Sequence, residues 1–262
     1  MKSDQKRSIL IVTAAVEETA PILSRLSDKK SLLIGGKQTF SGWIVDQPVT
    51  VVQSGIGIVN AVQAVTAAIE NMSIKMIINT GCSGVFAASG LAIGDIGIAT
   101  KETYIHTGVE MISGHSPLAQ LPFPLIQTVN QSYYAEYPTD VHYTRHTHNI
   151  LKQAFSLQNI QIKMIPFITV STLTATPVSV TVLYNLYKAG MENMEGAGIA
   201  HIAIHYRIPF IEIRTASNYV GDREKKNWRL KQAFERSAQA IDILMRKWND
   251  KNIDESLNSV YC

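Results

Sequence analysis

Apolar residues run almost unbroken through residues 8–15 (SILIVTAA), 76–80 (MIINT), 162–171 (IKMIPFITVS) and 210–216 (FIEIRTA). Runs of this length between turn residues predict strands buried on both faces, as in a parallel sheet covered by helices. A further strand is expected after Gly90-Leu-Ala-Ile-Gly94-Asp95, reaching about Thr100. Residues 38–45 and 49–54, around Asp46-Gln47-Pro48, alternate or run apolar and predict a hairpin. Helical spacing predicts helices from Glu17 to about Leu26, with Pro21 in the first turn, and from the glycine turn at 54–57 to about Asn71. Others are expected over 148–157, 177–188 and 232–248. Residues 191–200 (MENMEGAGIA) predict the opening turn of another helix, with Glu192 and Glu195 at its positive end. Residues 103–147 carry Pro117, Pro122, Pro124 and Pro138 and predict loops around a site mouth or an oligomer contact. The ends, about 1–7 and 249–262, predict loose polar tails.

This pattern predicts an α/β fold, and 262 residues with 46% hydrophobic content are enough for one large core, so 1–262 is expected to form a single domain. A net charge of +3 without a basic stripe argues against a nucleic-acid partner. Two cysteines, Cys82 and Cys262, argue against a disulfide framework and fit a reducing cytoplasm. About eight apolar residues follow the charged N-terminus before Glu17-Glu18, too few for a signal or membrane helix. A cytoplasmic protein without a membrane partner is therefore expected.

Ligands in open α/β sheets bind beyond the carboxyl ends of the strands. Glu18 follows the first buried strand, where partial desolvation suits a general base. Glu195 begins a helix, and Asn218 ends an apolar strand with an amide that both donates and accepts. Each has an ordinary structural explanation: a solvated first-turn carboxylate, a helix-dipole partner and a turn residue. The turns Ser54-Gly-Ile-Gly57 and Gly81-Cys-Ser-Gly84 match neither the phosphate-cradling loop ending in Gly-Lys-Ser/Thr nor G-x-G-x-x-G. His142, His146 and His148 lack the companion ligands of a metal site, and no partner histidine marks Cys82 as a nucleophile.

The order of these motifs is more specific than any one of them. Ala14-Ala-Val-Glu-Glu18, Ser54-Gly-Ile-Gly57, Ile78-Asn-Thr-Gly-Cys-Ser-Gly84, Gly94-Asp95, Met194-Glu-Gly196 and Arg214-Thr-Ala-Ser-Asn218 resemble the purine nucleoside phosphorylase and methylthioadenosine/adenosylhomocysteine nucleosidase superfamily from Ile9 to about Met245. Within it, Glu18-Thr-Ala-Pro21, Glu192-Asn-Met-Glu-Gly-Ala-Gly-Ile-Ala200 and Ser217-Asn-Tyr-Val-Gly-Asp-Arg223 with Trp228 most resemble futalosine hydrolases, nucleosidases of the alternative menaquinone pathway. The resemblance implies a single-domain, three-layer fold with a central mixed, twisted sheet flanked by helices. It also implies a homodimer or higher homo-oligomer that takes a small nucleoside substrate without a cofactor or metal.

Two departures bear on the reaction. Phosphorylases of the superfamily carry a phosphate-binding arginine where this chain has Asn79, so water is the expected nucleophile. The resemblance makes Glu18 the base for that water and Glu195 the acceptor for ribose hydroxyls. Adenine-specific nucleosidases carry Asp where this chain has Asn218, and an amide there suits a 6-oxopurine. The implied catalytic residues are Glu18, Asn218 and Glu195; the implied binding residues are Ser83, Gly84, Ser171, Leu173, Thr174, Met194, Glu195, Arg223 and Trp228. The benzoate of futalosine would need a cation, Arg223, His106 or Arg145, and an apolar wall from Trp228, Phe167 or Tyr104. The expected reaction converts futalosine to hypoxanthine and dehypoxanthine futalosine. The alternatives are cleavage of methylthioadenosine, adenosylhomocysteine or 6-amino-futalosine, a phosphorylase, and a non-catalytic nucleoside-binding protein.

Overall fold

The run at residues 8–15 forms strand β1 (Ser8–Thr13), every residue of which is buried. Its alternate residues face opposite layers: Ile9 and Ile11 pack with Ile22, Tyr143, Leu151, Ile241 and Leu244. Leu10 and Val12 pack with Ala61, Ala64, Ile199 and Ala203. Each such side chain contributes about 1.5–3 kcal/mol by leaving water, which is why the strand needs helices on both sides. The result is a three-layer α/β fold, a mixed sheet with helices on each face. A computed structural model describes residues 7–110 and 118–248. The expected tails, apart from Arg7 and Trp248 beside them, lie outside the described residues, as does Pro117.

After β1 come α1 (Val16–Leu23), β2 (Ser27–Ile34), β3 (Lys37–Ile44), β4 (Gln47–Gln53), α2 (Ile58–Asn71), β5 (Ile74–Val85) and β6 (Ile96–Tyr104). Short strands β7 (Ile126–Gln127), β8 (Ser132–Tyr133) and β9 (Glu136–Pro138) precede α3 (Val141–Ala154), β10 (Ile162–Thr169) and α4 (Pro177–Tyr187). Strand β11 (Met191–Asn193), α5 (Gly196–Tyr206), β12 (Phe210–Tyr219) and α6 (Leu230–Lys247) follow. Helices α1, α3 and α6 contribute to one core face, and α2 and α5 to the other. Among the described residues no helix is long and apolar enough to cross a membrane.

The sheet runs β11-β10-β6-β12-β5-β1-β4-β3-β2. Strand β12 is parallel to β5 but antiparallel to β6. Strand β11 pairs with β10 and also with β5, through Met191 opposite Val85 and Glu192 opposite Gly84. Strands β5, β12, β6, β10 and β11 thus close into a ring. This closure brings the ends of β5, β11 and β12 to one place.

Several boundaries differ from expectation, each for a physical reason. The small-residue stretch Gly81–Gly84 continues β5 as strand, because Gly81, Cys82 and Ser83 pair with Arg214, Thr215 and Ala216. Glu192 lies on β11, so it does not belong to a helix's first turn; α5 starts only at Gly196, with Glu195 as its N-cap. Strand β12 passes through Asn218 to Tyr219. Helix α3 starts at Val141, earlier than predicted, with Asp140 Oδ1 accepting from the Tyr143 N–H at 3.0 Å. The 103–147 segment thus holds part of β6, three short strands and the first half of α3. Strand β2 gave no periodic signal because nearly all of it is exposed, and its lysines suit a sheet edge.

Candidate active site

Glu18 stands in the first turn of α1, directly beyond the carboxyl end of β1, and is only 4% exposed. Its Oε2 accepts from the backbone N–H groups of Ala14 and Ala15 at 2.9 and 3.1 Å. Its Oε1 accepts from the N–H of Cys82 on β5 at 2.8 Å. Three backbone donors on two rigid elements fix the carboxylate in one orientation. Gly81 is required beside it, because a Cβ there would collide with Glu18 Oε1. Cys82 is next to this carboxylate, and burial, followed by the charge of Glu18, pushes its thiol well above the ordinary range. A thiol held protonated is a poor nucleophile.

Glu195 comes from the opposite side, as the N-cap of α5. Its Oε1 accepts at 2.9 Å from the N–H of Gly57, a residue at φ +95° in the glycine turn before α2. Only glycine holds that conformation without strain. Its Oε2 receives Arg214 Nη2 at 3.2 Å. Burial raises the Glu195 carboxyl above the ordinary range, while Arg214 and the Gly57 N–H oppose the shift and the charge of Glu18 adds to it. Arg214 is buried in β12, where Nε meets Glu212 Oε1 at 2.8 Å and Nη1 donates to the Cys82 carbonyl at 3.2 Å. Burial alone would lower this guanidinium, but Glu212, Glu195 and Glu18 outweigh it and hold it above its usual value.

A cavity of about 410 Å³ is lined by Glu18, Glu195 and Arg214 together with Ser217 and Asn218. A register shift between Ala216 and Asn218 in the pairing of β12 with β5 turns both of these adjacent side chains toward it. Asn218 Oδ1 accepts from Ser217 Oγ at 2.8 Å, and Nδ2 donates to the Tyr219 carbonyl at 3.0 Å. One amide N–H remains for a ligand. Ser83 and Gly84 form the adjoining wall, with Ser83 Oγ donating to the Glu192 carbonyl at 2.6 Å. Glu192 also faces the cavity, holding the N–H and hydroxyl of Thr174. Burial raises its carboxyl, while Thr174 and Arg223 work against the shift.

The wider part of the cavity is apolar, built from Ile56, Leu173, Met194, Trp228, Leu230 and Phe234. Arg223 lies at the mouth, its guanidinium carbon 5.0 Å from the Trp228 ring centroid. Other clefts of about 490, 600 and 610 Å³ exist, but none brings two buried carboxylates together.

Glu18, Ser83, Gly84, Leu173, Met194, Glu195, Asn218, Arg223 and Trp228 therefore share one cavity. Thr174 reaches it only through Glu192. Ser171 is exposed and bonded to Tyr104 Oη at 2.9 Å and His106 Nδ1 at 2.8 Å, outside the lining. Arg145 is exposed on α3, and Phe167 is fully buried in a separate apolar cluster. Asn79 spends its amide on Glu212 Oε1 at 2.8 Å. Asp95 braces a turn through the N–H groups of Ala92 and Gln161. His142 and His146 pack edge-on against Tyr143 and Trp248. Among the described residues no three metal-ligating side chains cluster.

Sequence reasoning gave Arg214, Glu212 and Asn193 no role in the site. A signal was available: Glu212 and Arg214 stand two apart in an apolar strand and so share one face, where a charge must find a partner.

The phosphorylase superfamily model matches residues 8–247. The chain is 26% identical over 249 residues to the 5'-methylthioadenosine/S-adenosylhomocysteine nucleosidase of Anoxybacillus flavithermus, covering 92% of this chain and 99% of that protein. It is 26% identical over 193 residues to the futalosine hydrolase of Thermus thermophilus, covering 74% and 79%. The crystal structure of the 5'-methylthioadenosine/S-adenosylhomocysteine nucleosidase from Neisseria meningitidis, in complex with methylthio-immucillin-A, has the same fold. Its TM-score is 0.79 at 20% identity, over 93% of this chain and all of that one.

Proposed function

Because the chain belongs to the phosphorylase superfamily, we propose that its cavity hydrolyses the N-glycosidic bond of a purine nucleoside, and that the substrate is a 6-oxopurine nucleoside of the futalosine type. The observation that carries this reading is the convergence of Glu18 and Glu195 on one cavity, with Arg214 bound to the second. Named nucleosidases among the relatives support the reaction class.

In this reading a water lies against Glu18, which takes its proton as the water oxygen bonds to the anomeric carbon. The C–N bond breaks, and its electron pair passes to the purine. Glu195 accepts hydrogen bonds from ribose hydroxyls, and its charge opposes the positive charge that grows on the sugar. Arg214 aims Glu195 and opposes the upward shift that burial imposes on its carboxyl. The free N–H of Asn218 meets the charge that develops on the purine ring or its 6-oxo group. Leu173, Met194, Trp228 and Phe234 exclude water from the remaining substrate surface. Arg223 at the mouth supplies a cation for a carboxylated tail.

A second reading, a methylthioadenosine/adenosylhomocysteine nucleosidase, is favoured by the name of the relative that matches over 92% of the chain. Asn218 separates the two, because an amide has no titratable proton for an adenine ring nitrogen. Base release from futalosine, its 6-amino analogue, inosine and methylthioadenosine, with and without phosphate, tests both. Futalosine cleaved fastest and phosphate-independently is the expected result; methylthioadenosine cleaved faster would move the assignment to the second reading.

A further inference from the structure

Beneath the cavity two carboxylates, Glu102 on β6 and Glu212 on β12, are both completely buried. They meet at Gly196, where a Cβ would collide with Glu102 Oε1 and Glu212 Oε2 alike. Two like charges in so small and dry a space repel strongly. The surrounding hydrogen bonds show how the conflict is resolved.

Glu212 Oε1 receives Arg214 Nε and Asn79 Nδ2, both at 2.8 Å. Among the described residues nothing donates to its Oε2. Glu102 Oε1 accepts from Asn193 Nδ2 at 2.5 Å and Oε2 from Thr169 Oγ1 at 2.8 Å. The roles of these donors are fixed. Asn193 Oδ1 accepts from the N–H groups of Glu195 and Gly196 at 2.9 and 2.7 Å, so its nitrogen faces Glu102. Thr169 Oγ1 accepts from the Ala197 N–H at 2.8 Å, and of its two acceptors Glu102 Oε2, at 2.8 Å, lies closer than Asn193 Oδ1, at 3.4 Å. The arrangement lacks one donor for Glu212 Oε2, and a proton on Glu102 supplies it.

We propose that Glu102 is a neutral carboxylic acid whose O–H donates to Glu212 Oε2, and that this acid–carboxylate pair is a positioning device for the cavity above it. Glu212 aims Arg214, and Glu102 holds Asn193, which fixes the backbone of Glu195. Neither carboxyl touches substrate. Burial, followed by the charge of Glu212, raises Glu102 well above the ordinary carboxylate range, which agrees with the geometry. The other charged groups nearby are Arg214 on β12 and, beyond it, Glu195 on α5 and Glu18 on α1; β5, β10 and β11 present the neutral Asn79, Thr169 and Asn193. When the pair loses its proton at high pH, two adjacent anions separate and disturb Arg214 and Glu195 together. The roles given to those two residues rest on the nucleosidase reading; the protonation of Glu102 does not.

The first test is infrared spectroscopy of the resting enzyme near neutral pH, which needs no substrate. A carboxylic acid carbonyl band that Glu102→Gln removes is expected. Absence of the band from the unmutated protein, or its persistence in Glu102→Gln, overturns the proposal and leaves the nucleosidase reading untouched. Should Glu102→Gln fail to fold, Glu212→Gln replaces it: the acid O–H loses its carboxylate acceptor while Glu102 stays buried, so the band should shift or vanish. A band unmoved by Glu212→Gln has the same overturning force. The second test is the pH profile of nucleoside cleavage. From about pH 7 to about pH 10, kcat/KM should fall at least about threefold less in Glu102→Gln than in the unmutated protein, because the substituted pair cannot titrate. Identical alkaline limbs overturn the positioning role.

Discussion

Arg214 Nη2 lies 3.2 Å from Glu195 Oε2, and both side chains are almost wholly withdrawn from water. The same guanidinium holds Glu212 at 2.8 Å. Removing one member of a buried ion pair leaves its partners charged and unsolvated, at a cost of about 3–5 kcal/mol. Arg214→Met should lower unfolding stability in urea by about that amount and abolish most activity, while Arg214→Lys, without the planar fork, should fall between. A loss below about 1 kcal/mol for Arg214→Met would show that Glu195 and Glu212 do not depend on this cation.

Gly81 tests Glu18 from a distance. A Cβ at residue 81 must displace the Glu18 carboxylate from its three backbone donors. Gly81→Ala should therefore lower kcat by about a hundredfold, comparable with a misplaced catalytic group. Glu18→Gln is the reference for a missing base. Turnover by Gly81→Ala close to that of the unmodified chain would remove Glu18 from the base role or show that its orientation is unimportant.

The raised carboxyl of Glu195 links stability and activity in opposite directions. Between the ordinary carboxylate pKa and the raised one, the folded chain keeps a proton that the unfolded chain has released. The stability due to Glu195 is therefore fully present below the ordinary range and is lost as pH rises through the folded value. Accepting ribose hydroxyls requires the ionised form, so kcat/KM should climb over that window, along an acid limb lying above about pH 4.3. Parallel pH series of urea midpoints and kcat/KM check both signs, and Glu195→Gln should flatten the stability slope. An acid limb at the ordinary carboxylate position would contradict the link.

Arg223 is exposed and stacked on Trp228, so its contribution to binding a carboxylate is screened by water. Arg223→Ala should raise KM for futalosine about fivefold and for inosine less than about twofold. Equal effects on the two substrates would assign Arg223 a structural role at the mouth.

What the sequence reveals divides along periodicity. β1 announces itself as an unbroken apolar run buried at every residue, and α2 and α6 do so because burial recurs at helical spacing along one face. β2 is hidden because exposed residues carry no such repeat, and its position is set by backbone pairing with β3. The site is legible where a side chain sits at the end of a buried strand, as Glu18 does, since sheet geometry fixes where such ends point. It is not legible at Ser171 and Leu173, two residues apart on one loop. One bonds to Tyr104 away from the cavity and the other lines it, and no period governs that choice. The Glu102 and Glu212 meeting is hidden for another reason: the two residues are 110 positions apart, on strands that only the long-range pairing of β6 with β12 brings side by side.

Asn218 offers the sharpest substitution. Its Nδ2 donates to the Tyr219 carbonyl at 3.0 Å, so Asn218→Asp would place a carboxylate oxygen against a carbonyl oxygen in a site only 8% exposed. Two acceptors face to face favour the protonated acid, whose O–H then satisfies Tyr219 or turns to the ligand. Burial acts in the same direction. A protonated acid beside the purine ring is what departure of adenine requires, since its ring nitrogen must be protonated as the bond breaks. Asn218→Asp should therefore raise kcat/KM for methylthioadenosine relative to futalosine by at least about tenfold, with the gain confined to acidic and neutral pH, where the new carboxyl stays protonated. Base-release assays on both substrates across pH measure this. An unchanged ratio would mean that residue 218 does not select between 6-oxo and 6-amino purines, and selection would pass to the loop carrying Leu173 and Thr174.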